Sequence, residues 1–361
     1  MNKGVLVLTN SSDGLYGFRQ ELLERLQKTY EVTVATPDSG HMDDLRALGC
    51  TIIPTPLDRR GINPVTDGKL LLRYRRLLRQ VQPDLVISYT IKPNIYGGLA
   101  CRAADVPFAA NITGLGTAFQ KEGALRTLVT MLYKTALKKA KVVFFENAAN
   151  RDTLLEMGIV RPEQCRLLMG AGVNLQRFAP VDYPAEETTR FLFVGRLMRE
   201  KGVDELLAAM ARLHAEGTNC TLDVLGEPEE DYTAAIAAGE QAGWLRYHGY
   251  QTDVRPFVAA SHCFVLPSYH EGMANTNLEC AAMARPVITS DIPGCREAVE
   301  EGVSGLLCAP QDAESLYVAM KRFLTLPRQE RAAMGAAGRR RMEAIFDKEK
   351  VVNATLEGLG V

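Results

Sequence analysis

Phe191-Leu192-Phe193-Val194-Gly195-Arg196-Leu197-Met198-Arg199-Glu200-Lys201-Gly202 decides how this chain folds. An apolar run of strand character stops at a glycine, and a charged turn follows. That is how a βα unit opens, and here it opens after a break. Upstream, Asn174–Thr189 holds Pro180, Pro184 and the polar run Glu186-Glu187-Thr188-Thr189, which reads as a linker. A fresh series of elements therefore starts near residue 191.

The same alternation extends in both directions. Before the linker, strands are expected at Val5–Thr9, Val32–Ala35, Thr51–Ile53, Leu85–Ser88, Phe108–Asn111 and Val142–Phe145. After it they are expected at Phe191–Val194, Thr221–Leu225, Cys263–Leu266 and Val287–Thr289. Helical stripes lie between, such as Leu70, Tyr74, Leu77, Leu78 and Val81, or Leu125, Leu128, Val129, Leu132 and Ala136. Alternating βα units predict an α/β fold of parallel sheets covered on both faces. The expectation is two Rossmann-like, doubly wound domains, 1–180 and 181–345, facing each other across a cleft. A last helix, about 346–361, packs back on the first domain. Ligands of such sheets collect at the carboxyl ends of the strands.

Composition narrows the class. The 361 residues are 47% hydrophobic and 24% charged, ordinary values for a globular protein. Eight cysteines lie scattered without a Cys-x-x-Cys pair or zinc spacing, which points to reduced thiols in a cytoplasmic protein. The apolar run near the N-terminus is too short for a signal peptide. No run approaches the ~18 residues of a membrane span. The net charge of -1 hides an asymmetry: residues 1–182 carry 24 Lys+Arg against 17 Asp+Glu, and residues 183–361 carry 18 against 26. The basic half suits an anionic partner.

Two clusters carry chemistry. Arg196 and Lys201 follow the strand at 191–194, and both suit a diphosphate. Cations at a helix start oppose the helix dipole, a conflict that a bound phosphate resolves. His270-Glu271-Gly272-Met273-Ala274-Asn275-Thr276-Asn277-Leu278-Glu279 follows another strand. Its two carboxylates suit vicinal hydroxyls of a sugar, and Gly272, Met273 and Ala274 can aim amides at an anion near the helix start at Asn275. The blander account makes Glu271 a cap and Glu279 an ordinary ion pair. It weakens once all four charged groups are taken together, because together they describe a nucleotide-sugar site. The stretch Thr113-Gly114-Leu115-Gly116 lacks the third glycine of a dinucleotide fingerprint, which argues against an oxidoreductase. No Asp-x-Asp triplet occurs to cradle a metal.

Glu271 to Glu279 resembles the E-x7-E motif of the GT-B glycosyltransferases of family four. Ala284–Glu297 and Glu301–Leu307 are similar to that family too. Tyr89-Thr90-Ile91-Lys92-Pro93-Asn94-Ile95-Tyr96-Gly97 and Asn111–Gly116 resemble its bacterial polysaccharide subgroup, whose members extend lipid-diphosphate-linked oligosaccharides. The resemblance implies a retaining, metal-independent enzyme with no cofactor. It would move a hexose or N-acetylhexosamine from a UDP-sugar to a lipid-linked saccharide, in surface polysaccharide or glycan biosynthesis. It implies that Arg196, Lys201 and Glu271 are catalytic. Gly14, Tyr250, Gly272, Met273, Ala274, Asn275 and Glu279 would complete the donor site. Lys92, Asn94, Thr113 and Gly114 would face the acceptor. Many relatives have a histidine in the loop that here reads Thr113–Thr117, so Thr113 or a backbone carbonyl stands in its place.

The basic helices near Lys69–Val81 and Leu125–Lys141 read as solvated faces. Their sharper reading is a peripheral contact with the anionic inner face of the cytoplasmic membrane. The rival functions are a UDP-sugar epimerase, a transferase with a soluble acceptor, and a non-catalytic nucleotide-sugar-binding protein. No feature points to nucleic acid.

Overall fold

The computed structural model describes residues 3–58, 63–116, 119 and 123–361; Thr117 of the loop named above lies outside them. The chain divides into two compact units, Met1–Ala171 with Glu349–Val361, and Gly172–Lys348.

The first unit is a seven-stranded sheet in the order β3-β2-β1-β4-β5-β6-β7, every pair parallel. Its strands are β1 (Lys3–Leu8), β2 (Tyr30–Thr36), β3 (Thr51–Pro54), β4 (Leu85–Tyr89), β5 (Phe108–Ile112), β6 (Val142–Phe145) and β7 (Cys165–Leu167). Its helices are α1 (Ser12–Leu26), α2 (Met42–Ala47), α3 (Pro64–Val81), α4 (Gly98–Ala104), α5 (Ala124–Leu137) and α6 (Ala148–Glu156). Central strands are buried on both faces, which is why they read as unbroken apolar runs. One face packs Leu6, Leu8 and Phe145 against Leu70, Tyr74 and Leu77 of α3. The other packs Val5, Val7 and Phe144 against Leu22 and Leu26 of α1.

The second unit repeats the plan with six strands in the order β10-β9-β8-β11-β12-β13. They are β8 (Thr189–Val194), β9 (Cys220–Leu225), β10 (Leu245–Tyr247), β11 (Cys263–Leu266), β12 (Val287–Ser290) and β13 (Gly305–Cys308). Helices α7 (Val203–Ala215), α8 (Thr233–Gln241), α9 (Arg255–Ala260), α10 (Asn275–Ala282), α11 (Ala313–Thr325) and α12 (Arg328–Arg341) cover them. The last helix, α13 (Lys348–Leu359), puts Val351, Val352 and Leu359 into the first unit's core.

Three differences from the sequence reading have physical reasons. The unit boundary falls at Ala171/Gly172 rather than at 180. The Val173 N–H donates to Phe346 O at 2.8 Å and Arg339 grips Phe178 O at 2.9 Å, so the start of the linker belongs to the second unit. The strands β7, β10 and β13 went unseen because they are edge strands of only three or four residues. In α5, Val129 and Ala136 are buried as expected, but Leu125 and Leu128 are 46% and 45% exposed. Among the described residues, no helix is long and apolar enough to cross a membrane.

The proline-containing linker is held by a buried cation. Arg285 is fully buried, and its guanidinium donates to Val181 O (3.1 Å), Asp182 O (2.7 Å), Val258 O (3.0 Å) and Ala259 O (2.8 Å). It fastens the linker to α9 using only backbone acceptors. Removing it strands several buried carbonyls. Arg285→Met should therefore cost about 3–5 kcal/mol of the second unit's stability in denaturant unfolding. A loss below about 1 kcal/mol would mean that the linker holds without it.

Candidate active site

β8 and β11 lie side by side, with Phe191 opposite Cys263, at the point where the strand order reverses. Both chemical clusters leave from the carboxyl ends of these two strands. Doubly wound sheets open a ligand crevice at this reversal.

Gly202 brings the two loops together. It ends the Arg199–Lys201 turn at φ +72, and a Cβ there would sit 2.1 Å from Pro267 O. Only glycine permits that approach. It sets Lys201 Nζ 2.5 Å from Glu271 Oε1, with both side chains largely buried. The Ser268 hydroxyl donates to the same oxygen at 2.8 Å.

The loop after β12 packs against the backbone that carries Glu271. Gly294 (φ +88) approaches so closely that a Cβ would lie 2.7 Å from the carbonyls of both Glu271 and Gly272. The Ala274 N–H donates to Gly294 O at 2.7 Å. That amide is therefore engaged, which corrects the expectation that Ala274 offers it to a ligand. Met273 is buried beside it. The loop after β9 holds the other cation: Arg196 pairs with Glu229 while half of its side chain stays exposed. The Arg199 N–H donates to Glu230 Oε2 at 2.8 Å. Tyr250 follows Gly249 at the end of β10 and is 57% exposed.

α10 starts at Asn275, whose Oδ1 is buried without a hydrogen-bond partner. Glu279 lies further along the same helix. It is hemmed in on all sides yet keeps some accessible surface, as at the bottom of a concavity. Burial pushes its carboxyl up to about 7, only partly offset by Arg177 and Lys348.

The first unit holds the other expected residues. Gly14 lies in the first turn of α1, and its N–H donates to the capping Ser11 hydroxyl at 3.0 Å. That amide, too, is engaged. Asn94 is buried: its amide donates to Asn111 O at 2.8 Å and accepts from the Ser88 hydroxyl at 2.6 Å. It ties strand ends together and has no surface to offer an acceptor. Lys92 reaches Asp67 at 2.9 Å. Thr113 and Gly114 (φ +146) follow β5 and stay partly accessible.

The chain matches two family models, one described as "Glycosyl transferase 4-like" over residues 5–147 and one as "Glycosyl transferases group 1" over residues 188–325. It belongs to the GT-B glycosyltransferases of family four. A Campylobacter jejuni relative, N,N'-diacetylbacillosaminyl-diphospho-undecaprenol alpha-1,3-N-acetylgalactosaminyltransferase, is 27% identical over 86% of each chain. An Escherichia coli UDP-Gal:alpha-D-GlcNAc-diphosphoundecaprenol alpha-1,3-galactosyltransferase is 26% identical, covering 84% of this chain and 81% of its own. Anabaena Alr3699/HepE, solved with UDP-glucose, superposes with a TM-score of 0.81 over 99% of both chains at 16% identity, a likeness of fold.

Sequence reasoning on this glycosyltransferase missed Glu229, Ser268 and Gly294. The acidic run Glu227-Pro228-Glu229-Glu230 after a strand was a usable signal for Glu229. Ser268 and Gly294 are seen only through tertiary contact. Thr90 was quoted only as part of a motif. It follows β4 at φ +74, unusual for a β-branched residue, and its hydroxyl is buried without a partner.

Glu279 gives a pH prediction. Folded, its carboxyl keeps a proton up to about 7, against an ordinary value of 4.5. The folded state thus binds the extra proton between those values, and this position costs stability increasingly as pH rises through them. Glu279→Gln should therefore stabilise the second unit at pH 8, by about 2–3 kcal/mol at most, with no gain at pH 4.5. Equal gains at both pH values, or a loss at pH 8, would contradict the burial account.

Proposed function

We propose that this glycosyltransferase moves a hexose or N-acetylhexosamine from a UDP-sugar to a hydroxyl of a lipid-diphosphate-linked saccharide, with retention at the anomeric carbon. The observation that carries the proposal is the Lys201–Glu271 pair at the strand reversal, with Glu279 in the helix that follows. The C. jejuni and E. coli relatives, named for diphospho-undecaprenol-linked acceptors, support the acceptor class. The UDP-Gal in the second name supports the donor.

Lys201 has three N–H donors and gives one to Glu271, which leaves others for the donor diphosphate. Arg196 adds a planar fork that suits the same group. As the anomeric C–O bond breaks, negative charge grows on the diphosphate, and these two cations stabilise it. They take the part a metal ion plays elsewhere, so the proposal includes no metal and no cofactor. Glu271 Oε1 is occupied by Lys201 and Ser268, and its other oxygen orients hydroxyls of the transferred sugar. Glu279 accepts from the ribose diol, and Tyr250 lies beside the uracil. The sugar passes through an oxocarbenium-like state. The acceptor hydroxyl attacks the face the diphosphate leaves, and its proton goes to a phosphate oxygen. Arg196→Ala and Glu271→Ala should each lower transfer at least about tenfold, ~1.4 kcal/mol, with no effect of EDTA on the parent enzyme. Near-normal turnover in both variants would refute these roles.

The proposal places the enzyme in the cytoplasm with a peripheral contact on the inner membrane face. Leu125, Leu128 and Met131 form an exposed apolar row on α5, and Lys134 and Lys138 continue past it. Apolar side chains beside lysines suit the interface of an anionic bilayer. Leu128→Asp with Met131→Asp should release the protein from phosphatidylglycerol vesicles in co-sedimentation. Undiminished binding would place the contact elsewhere.

A further inference from the structure

Two loops of the donor site are tied to the helix turn that follows the third. The turn is the start of α7, which Gly202 opens directly after Lys201, and it carries the consecutive acids Asp204 and Glu205. From the loop after β9, which also holds Glu229 and Glu230, the Tyr232 hydroxyl donates to Asp204 Oδ1 at 2.9 Å. From the loop after β11, the Tyr269 hydroxyl donates to Glu205 Oε1 at 2.6 Å. Tyr269 makes a second bond through its backbone: its N–H donates to Glu200 O at 2.9 Å. Glu200 is the chain neighbour of Lys201, and Tyr269 stands two residues before Glu271.

The hydroxyl bond is of the strong kind. A short O–H···O⁻ contact to an ionised carboxylate is roughly twice as strong as a neutral hydrogen bond. The other oxygen of Glu205, Oε2, is buried without a hydrogen-bond partner, so this carboxylate is short of proton donors and holds Tyr269 firmly. Burial, and after it the contact with Glu205, push the Tyr269 phenol up to about 12. It therefore keeps its proton, and remains a donor, at neutral pH.

The consequence is positional. The ring of Tyr269 is fixed on α7 and its backbone is fixed on Glu200. The residue thus joins the loop of Glu271 to the turn of Lys201 at two points. Neither segment can slide past the other without breaking one of these bonds. Groups that grip two parts of one ligand depend on such registration, since a misplacement of about 1 Å can cost on the order of a hundredfold in rate.

We propose that Tyr269, seated on Glu205, is a positioning residue of the donor site: it holds Lys201 and Glu271 at the separation that fits a diphosphate and its sugar. This rests on the donor reading of Lys201 and Glu271 proposed above and adds what keeps the two in register. Tyr269 touches no substrate on this account, and its effect passes through the segments it joins.

The test is calorimetric titration of the full-length protein with UDP, at a temperature where every variant is folded. Tyr269→Phe removes one hydroxyl and keeps the ring. Glu205→Met removes the acceptor, whereas Glu205→Gln keeps an oxygen that can accept from Tyr269. The expected result is a UDP affinity at least about fivefold lower in Tyr269→Phe and in Glu205→Met, with parent affinity retained in Glu205→Gln. A residue that only stabilised the fold would lower the melting temperature and leave the UDP affinity of the folded protein unchanged. Parent affinity in Tyr269→Phe overturns the proposal, and so does a loss in Glu205→Gln as large as that in Glu205→Met. Lys201→Met judges the donor reading itself. If Lys201→Met weakens UDP binding and Tyr269→Phe does not, only the positioning role falls. If Lys201→Met binds UDP like the parent, the donor reading falls and takes the positioning role with it.

Discussion

The contact between Lys201 and Glu271 is the constraint around which the second unit's functional end is arranged. A cation and an anion from segments seventy residues apart meet because β8 and β11 are neighbours at the strand reversal. Gly202 removes the Cβ that would hold their loops apart, and Gly294 does the same behind Glu271. Such a pair, largely buried, needs further hydrogen bonds to offset desolvation, and Ser268 supplies one. The geometry leaves unused donors on the ammonium and an unused oxygen on the carboxylate. A diphosphate and a sugar hydroxyl are the two halves of one substrate that those groups fit.

The surroundings show what such a site costs in stability. Glu279 holds a carboxyl where burial opposes its charge, and the Asn275 side-chain oxygen is buried without a partner. Neither helps the fold. At Arg285, in the same unit, a buried charge is satisfied, its guanidinium surrounded by carbonyls. An unsatisfied polar group at the start of α10, beside the donor carboxylates, is expected where a ligand completes the hydrogen bonding.

Much of this was legible in the residues. Central strands such as Phe191–Val194 and Val142–Phe145 announce themselves because burial on both faces makes them continuously apolar. The edge strands Cys165–Leu167 and Leu245–Tyr247 do not, because three residues carry no period. The charged groups Arg196, Lys201, Glu271 and Glu279 were legible by type and by their place after strands. The state of individual amides was not. Ala274 was expected to offer its N–H group, yet the loop at Gly294 engages it; Gly14, expected in the donor site, spends its own N–H on a helix cap. Asn94 looked like a surface group near an acceptor and is instead a buried tie between strand ends. Hydrogen bonds across long sequence separations decide these cases, and no local pattern encodes them. The exposed Leu125 and Leu128 are a related case: helical spacing marks a stripe as apolar without saying that protein covers it.

The most direct test separates the two halves of the substrate. Calorimetric titration of the parent, Lys201→Met and Glu271→Gln proteins with UDP and with the cognate UDP-sugar would do so. The account predicts that Lys201→Met weakens both ligands, whereas Glu271→Gln weakens the UDP-sugar and leaves UDP nearly unchanged. Equal effects of Glu271→Gln on both ligands, or no UDP binding by the parent protein, would contradict it.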